Sequence, residues 1–269
     1  MNYFTAGLYG DLARYKKIKS LLKPTDHLWV LGDAIDGNTE KPWECLSILD
    51  DIFQSDNITL ILGDHEYYHA LYLIECGALS KEEPDEDFVE ELATQIDDMD
   101  ISGKALRLHI DNYLTSEERA SYAQILLSCA VTDMVKIGDY VLYLCHGAPA
   151  KLERNVSNSE NSVLVWQEKV VSDELNLSET YFNEIKSDPN FRKFNEKLGP
   201  LPPPIIVTGG TPIEVFTDDG ENLTDGILFK NKKFALNEGI IADDGKKGPF
   251  SVLAMDAAGF FIKKIRVEV

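Results

Sequence analysis

Residues 58–66 read ITLILGDHE, and this stretch decides the fold. An apolar run that stops abruptly at a glycine is the pattern of a short strand buried on both faces. The Gly63-Asp64-His65-Glu66 that follows sets carboxylates and an imidazole at its end. Working outward, the same pattern occurs in HLWVLGD (27–33), which continues as Ala34-Ile35-Asp36-Gly37, and again in NYFTAG (2–7). Between the first two strands Leu12, Tyr15, Ile18, Leu21 and Leu22 recur at helical spacing until Pro24 stops the helix. Short apolar strands alternating with helices predict a βαβ series with a largely parallel, buried sheet. Functional groups gather at the C-terminal ends of such strands.

Downstream, residues 65–130 read as mainly helical. MVKIGDYVLYLCHG (134–147) reads as two strands joined by a Gly138-Asp139 turn. A helical and polar section (151–198) ends in GPLPPP (199–204), a stiff connector, and PIIVTGG (204–210) is a further strand. Two hairpins follow, in 226–236 and 250–267. No internal repeat or low-complexity segment interrupts this order. It predicts a single α/β domain over 1–269 whose second half completes a two-sheet sandwich with helices outside.

The chain has 269 residues, 44% of them apolar, which suits one large domain. With 26 Lys+Arg against 46 Asp+Glu the net charge is −20, which argues against nucleic acid as a partner. No apolar run reaches membrane-spanning length, and Met1-Asn2-Tyr3-Phe4 lacks the features of a signal peptide. The expectation is a soluble, cytoplasmic protein with no membrane partner. Cys45, Cys76, Cys129 and Cys145 stand far apart with no C-x-x-C pair, so reduced, mostly buried thiols are expected. Cys145, with strand neighbours Leu142 and Leu144, reads as core packing and not as a nucleophile. Residues 81–100 hold ten acids and one lysine, while Phe88, Leu92, Ile96 and Met99 recur at helical spacing. That predicts an amphipathic helix whose acidic face is solvated or, alternatively, docks a basic partner or a divalent cation.

Carboxylates and imidazoles on different strand ends of one sheet converge on a point, as a divalent metal requires, and a two-metal phosphoesterase fits. In order along the chain stand Ala6-Gly7-Leu8-Tyr9-Gly10-Asp11, Gly32-Asp33-Ala34-Ile35-Asp36-Gly37, Gly63-Asp64-His65-Glu66, His146-Gly147 and Gly209-Gly210-Thr211-Pro212. This series resembles the signature of the calcineurin-like metallophosphoesterases, within them the phosphoprotein phosphatase and dinucleoside tetraphosphatase branch: G-D-x-H-G, G-D-x-x-D-R-G, G-N-H-E, a later H-G, and G-H-T-P. The resemblance spans residues 2 to about 256. It implies an α/β, metallophosphoesterase-like fold, a β-sandwich core with flanking helices.

Position by position, the resemblance implies a degenerate metal site. The aspartate and histidine that hold one metal in the family are here Gly7 and Tyr9, neither of which is an ordinary ligand. The bridging aspartate is Asp33, the asparagine ligand is replaced by Asp64, and the first late histidine ligand is His146. The second late histidine is replaced by Gly210. The phosphate-gripping arginine is replaced by Gly37, and a family tryptophan with an arginine two residues on survives only as Trp166 with Glu168. His65 matches the histidine that protonates the leaving group. The first metal position thus keeps Asp33 alone, and the second keeps Asp33, Asp64 and His146, the minimum of an open zinc site. One divalent metal is implied, manganese, zinc, iron or magnesium, in place of a two-metal centre.

Several readings compete around these residues. Asp33 beside Asp64 would repel, so a cation, a shared proton or a nearby lysine is expected there. His65 is the catalytic acid if the protein is active, or part of a structural turn with Asp64 and Glu66. Asp11 either caps the helix that begins near Leu12 or enters the first site through a shifted loop. His65-Glu66-Tyr67-Tyr68-His69 also matches H-E-x-x-H literally, a metalloprotease rival. His27 and His109 read as ordinary surface or strand-edge residues. Ligand loss favours a pseudo-phosphatase that binds an unidentified protein or small-molecule ligand through the inherited fold. The alternative is an active phosphoprotein or nucleotide phosphatase with one metal on Asp33, Asp64 and His146, and His65 as acid.

Overall fold

The computed structural model describes residues 1–37, 39–76, 85–99, 101–147, 149, 182–199, 204–210, 228–230, 233–236, 250–256 and 262–267. Strand β1 (Asn2–Thr5) pairs in parallel with β2 (His27–Leu31), and β2 with β3 (Ile58–Ile61). The crossovers are α1 (Leu12–Lys19), with Asp11 as its N-cap accepting from the Arg14 amide, and α2 (Trp43–Phe53). Asp11 therefore caps the helix, as its preference for exposed amides leads one to expect. Helices α3 (Asp64–Glu75), α4 (Glu86–Met99), α5 (Ile101–Tyr113) and α6 (Ser116–Ser128) follow. In α4 Leu92 and Ile96 are buried against Tyr72, whereas Phe88 is exposed although its spacing placed it on the same stripe.

The second sheet starts with the antiparallel pair β4 (Thr132–Ile137) and β5 (Tyr140–Cys145), joined through Gly138 at φ 58°. After α7 (Phe182–Ile185) and α8 (Pro189–Leu198) come β6 (Ile205–Thr208), β7 (Leu228–Lys230) and β8 (Lys233–Ala235). Their order is β4-β5-β6-β8-β7. The last pair, β9 (Phe250–Met255) and β10 (Ile262–Val267), is antiparallel and returns to the first sheet, in the order β10-β9-β1-β2-β3. The first sheet is therefore mixed and not largely parallel, because β9 runs antiparallel along the edge of β1 that β2 leaves open. Trp166, Glu168, Thr211, Pro212 and residues 200–203 of the expected connector lie outside the described residues.

Alternation along the strands sorts side chains into three layers. Phe4, Trp29, Leu31, Ile61 and Leu253 meet Ile137, Leu142, Leu144 and Val207 between the sheets. From the other face of the first sheet, Tyr3, Leu28, Val30 and Leu60 pack on Ile18, Ile48, Leu49 and Leu106 of the helices. On the outer face of the second sheet Val141, Tyr143 and Cys145 pack on Tyr67, Ile185 and Phe191. Helix, sheet, sheet and helix thus form the expected sandwich, and the C-terminal ends of β1, β2, β3 and β5 deliver their loops to one region. Among the described residues no helix is long and apolar enough to cross a membrane.

Candidate metal centre

Two loops are zipped together first. The amides of Gly7, Tyr9 and Gly10 donate to the carbonyls of Gly32, Asp33 and Ala34 at 3.2, 2.8 and 3.0 Å. Backbone bent this tightly needs left-handed residues. Tyr9, Asp33 and Asp36 are, among the described residues, the non-glycines at positive φ (47°, 53° and 66°). Such strain at one point of a fold marks positions that the surroundings must hold in place.

Glu66 does much of that holding. Fully buried in the first turn of α3, its carboxylate accepts from the amides of Asp33 (3.0 Å), Ala34 (2.7 Å), Ile35 (3.1 Å) and Gly63 (3.0 Å). It therefore ties the loop after β2 to the loop after β3. Burial, with the charge of Asp33 adding, pushes the Glu66 carboxyl above its ordinary range.

His146, at the end of β5, donates Nδ1–H to the carbonyl of Leu31 at 2.7 Å, since a carbonyl oxygen can only accept. The ring lies directly over Gly32, where a Cβ would sit 2.1 Å from Nδ1. The opposite nitrogen, Nε2, then faces Asp64 Oδ1 at 3.1 Å and Asp33 Oδ1 at 3.2 Å. Asp33, Asp64 and His146 offer three ligand atoms within 4.8 Å of one another, so the predicted ligands are brought together. Asp33 Oδ1 is buried and accepts no hydrogen bond, an orphan that a cation would satisfy. Ligands about 2.1 Å from one ion stand about 3.0–3.4 Å apart at angles near 90–110°, and the two separations from Nε2 match that spacing. Two carboxylates and an imidazole suit zinc, iron or manganese, and the Leu31 carbonyl orients the imidazole as an outer partner does.

The charges follow from this packing. Burial, and secondarily Asp64, pushes the Asp33 carboxyl up, while His146 opposes it. Burial also works to raise Asp64, yet the neighbouring His146 and His65 outweigh it and hold that carboxyl below the usual range. Burial alone would lower His146, but Asp33 and Asp64 outweigh it and raise the imidazole well above its ordinary value. An imidazole thus stands between the two carboxylates, where the sequence reading offered a cation, a shared proton or a lysine.

Positions 7, 9, 37 and 210 also gather here. A Cβ on Gly210 would lie 3.2 Å from His146 Nε2, and one on Gly37 would lie 2.4 Å from the Cβ of Tyr9. Gly7 and Gly37 stand at φ 62° and 73°, where an L side chain is strained.

Asp36 and His69, like Glu66 above, escaped the sequence reading as partners. Asp36 accepts from His65 Nδ1 at 2.7 Å through Oδ2 and from His69 Nε2 at 3.1 Å through Oδ1. Burial opposes ionisation of Asp36, but His69 and His65 prevail and hold it below the usual carboxylate range. Burial likewise opposes charging of His65, whereas the hydrogen bond to Asp36 and the charges of Asp33, Asp36 and Asp64 raise it to about 10. The second aspartate of G-D-x-x-D was the available signal for Asp36, and its spacing from His65 the signal for His69. The H-E-x-x-H reading is corrected here. Its two histidines meet a carboxylate, and its glutamate is consumed by four amides.

The remaining candidates are structural. Half-buried His27 hydrogen-bonds Thr59 Oγ1 at 2.8 Å, and half-buried His109 lies between the rings of Trp43 and Tyr113. Cys45 and Cys145 are buried, Cys76 and Cys129 half-buried, and all four are free thiols. Burial pushes the Cys45 and Cys129 thiols far above their ordinary value, so neither is a reactive thiolate. The acidic face of α4 borders a cavity of about 730 Å³ lined by Tyr68, Asp87, Glu90, Glu91, Thr94 and Gln95, and no ligand of the metal centre lines it.

No protein-family model and no curated protein sequence matches the chain. Among solved structures it superposes on a hypothetical protein from Pyrococcus horikoshii at 15% identity and TM-score 0.53, covering 100% of this chain and 88% of that one. A metallophosphoesterase from Sphaerobacter thermophilus gives 15% and 0.49, with 99% and 88% covered. A serine/threonine phosphatase from Saccharomyces cerevisiae gives 13% and 0.45, with 100% and 80% covered. At such identities the likeness is one of fold. The chain shares the α/β fold of the Pyrococcus protein, two five-stranded sheets with an Asp-Asp-His cluster at the ends of their strands.

Proposed function

We propose that the chain binds one divalent cation on Asp33, Asp64 and His146 and, beside it, a phosphoryl-bearing ligand, with little or no turnover. The observation that carries this reading is the buried, unsatisfied Asp33 Oδ1 facing the nitrogen that Asp64 also faces. A bound divalent cation would supply Lewis acidity toward a phosphoryl oxygen. His65, 12% exposed and oriented by Asp36, points its other ring nitrogen toward the same group. Hydrolysis is disfavoured because, among the described residues, Gly7 and Tyr9 leave no second ligand set and Gly37 provides no cationic grip on the phosphoryl oxygens.

A second reading, slow phosphoester hydrolysis with a single cation and His65 as acid, is favoured by the His65–Asp36 pair, which orients a ring as proton transfer requires. Titration with manganese and zinc, followed by assay of an aryl phosphate, separates the two. One cation per chain with turnover at the buffer rate supports the binding reading. Two cations per chain would sink the ligand count, and rapid turnover would replace the first reading by the second.

A further inference from the structure

We infer that His69 is a positioning residue which, acting through Asp36, fixes the ring of His65 so that Nε2 faces the ligand of the centre. The last clause rests on the function proposed above, whereas the fixing of the ring does not.

His65 and His69 lie one helical turn apart on α3, so their rings share a face and reach the same neighbour. Asp36 receives them on separate oxygens, His65 Nδ1 on Oδ2 and His69 Nε2 on Oδ1. An ionised carboxylate only accepts, so both nitrogens carry the hydrogen. His65 is then held with Nδ1 inward and Nε2 outward. The other nitrogen of His69, Nδ1, is buried with no partner. A bare lone pair tolerates that position better than an N–H would, so Nε2 is the nitrogen assigned the hydrogen.

Asp36 needs such a brace. It stands at φ 66°, strained for a residue with a side chain, and it is 2% exposed. Removing the donor from Oδ1 would leave a buried oxygen unsatisfied and the carboxylate free to turn about its own bond, carrying the His65 contact with it. Mere core filling predicts something different, because any side chain of similar bulk would then serve at position 69.

Glutamine places its amide nitrogen where histidine has Nε2, and asparagine falls short of it. The test is therefore nitrogen-edited NMR of the histidine rings in the full chain, with a chelator present, for the wild type, His69→Gln and His69→Asn. The wild type should show His69 protonated on Nε2 and a His65 Nδ1–H that exchanges slowly with water. His69→Gln should keep the His65 signal and His69→Asn should lose it. In parallel, inorganic phosphate is titrated in the presence of zinc. His69→Asn should weaken binding about tenfold and His69→Gln should not.

The inference is overturned if His65 is unchanged in His69→Asn, if folded His69→Gln loses the signal, or if the wild-type His69 proton sits on Nδ1. The last observation decides even where a variant does not fold. If the wild type ignores phosphate altogether, the functional proposal falls while the ring signals still decide the role of His69.

Discussion

At Gly37 a neighbouring loop limits what side chain the centre is able to take. A Cβ there would lie 2.4 Å from the Cβ of Tyr9 and 2.6 Å from its carbonyl oxygen, and φ is 73°. Gly37→Arg should therefore not restore a phosphate clamp but destabilise the fold by about 2–4 kcal/mol, read from denaturant melts. A variant of wild-type stability that hydrolyses aryl phosphate would refute this. Tyr9 already bears a side chain at φ 47°, so Tyr9→His is the repair that the backbone accepts. Glu66→Gln replaces one accepting oxygen by an amide that faces backbone N–H groups, and should cost about 2–4 kcal/mol in the same melts. An unchanged midpoint would mean that the loops are held by other contacts. Asp33, Asp64 and His146 were legible in the sequence because each ends an apolar strand and few residue types bind a metal. Asp36, Glu66 and His69 were not, since their partners stand about 30 residues away and only the closed fold supplies them. The glycines at positions 7 and 37 are visible in the sequence, but the turn of the backbone there is not.

Helix α8 shows how one buried acid holds an element to a sheet. Asp188 caps it by accepting from the Asn190 amide, and also accepts from Thr132 Oγ1 at 2.7 Å and from the Tyr143 hydroxyl. Those two donors lie on β4 and β5, so Asp188 fastens α8 to the second sheet. Asp188→Ala removes the cap and leaves two buried hydroxyls without this acceptor, an expected loss of about 3–4 kcal/mol. Adding Thr132→Val and Tyr143→Phe to that variant removes the stranded donors and should recover part of the loss, whereas strictly additive losses would show that the three residues do not act together. Such couplings are invisible in a linear reading, which sees apolar runs and periodicity. That is why the strands from β1 to β6 and the final hairpin were legible as elements. The return of β9 to the edge of β1 was not, because an apolar strand does not encode which edge it takes. Phe88 shows the same limit in a helix, keeping its period with Leu92 while only Leu92 finds a partner.

Over the whole molecule the buried charges of the centre should set how stability varies with pH when a chelator keeps cations away. Asp36 and Asp64 are held below their ordinary range, so their contribution is present above about pH 4 and is lost as pH falls through their folded values. His65 and His146 are raised, so theirs is complete below about pH 6.5 and disappears as pH climbs, for His65 through its folded value of about 10. Asp33, also raised, contributes a decline of its own that begins above about pH 4, because its charged form is disfavoured in the fold. The net charge of −20 contributes self-repulsion, but most carboxylates are already ionised across this window. Salt should therefore lift the melting curve without changing its slope against pH. Cation binding requires the deprotonated ligands, so manganese should stabilise more as pH rises. The expected outcome in thermal melts is a melting temperature that falls between about pH 6.5 and 9.5 in chelator, with a manganese-induced rise that grows over the same interval. A flat or rising melting temperature in chelator would mean that the imidazoles are not charged partners of these carboxylates. A manganese effect independent of pH would place the cation away from His146.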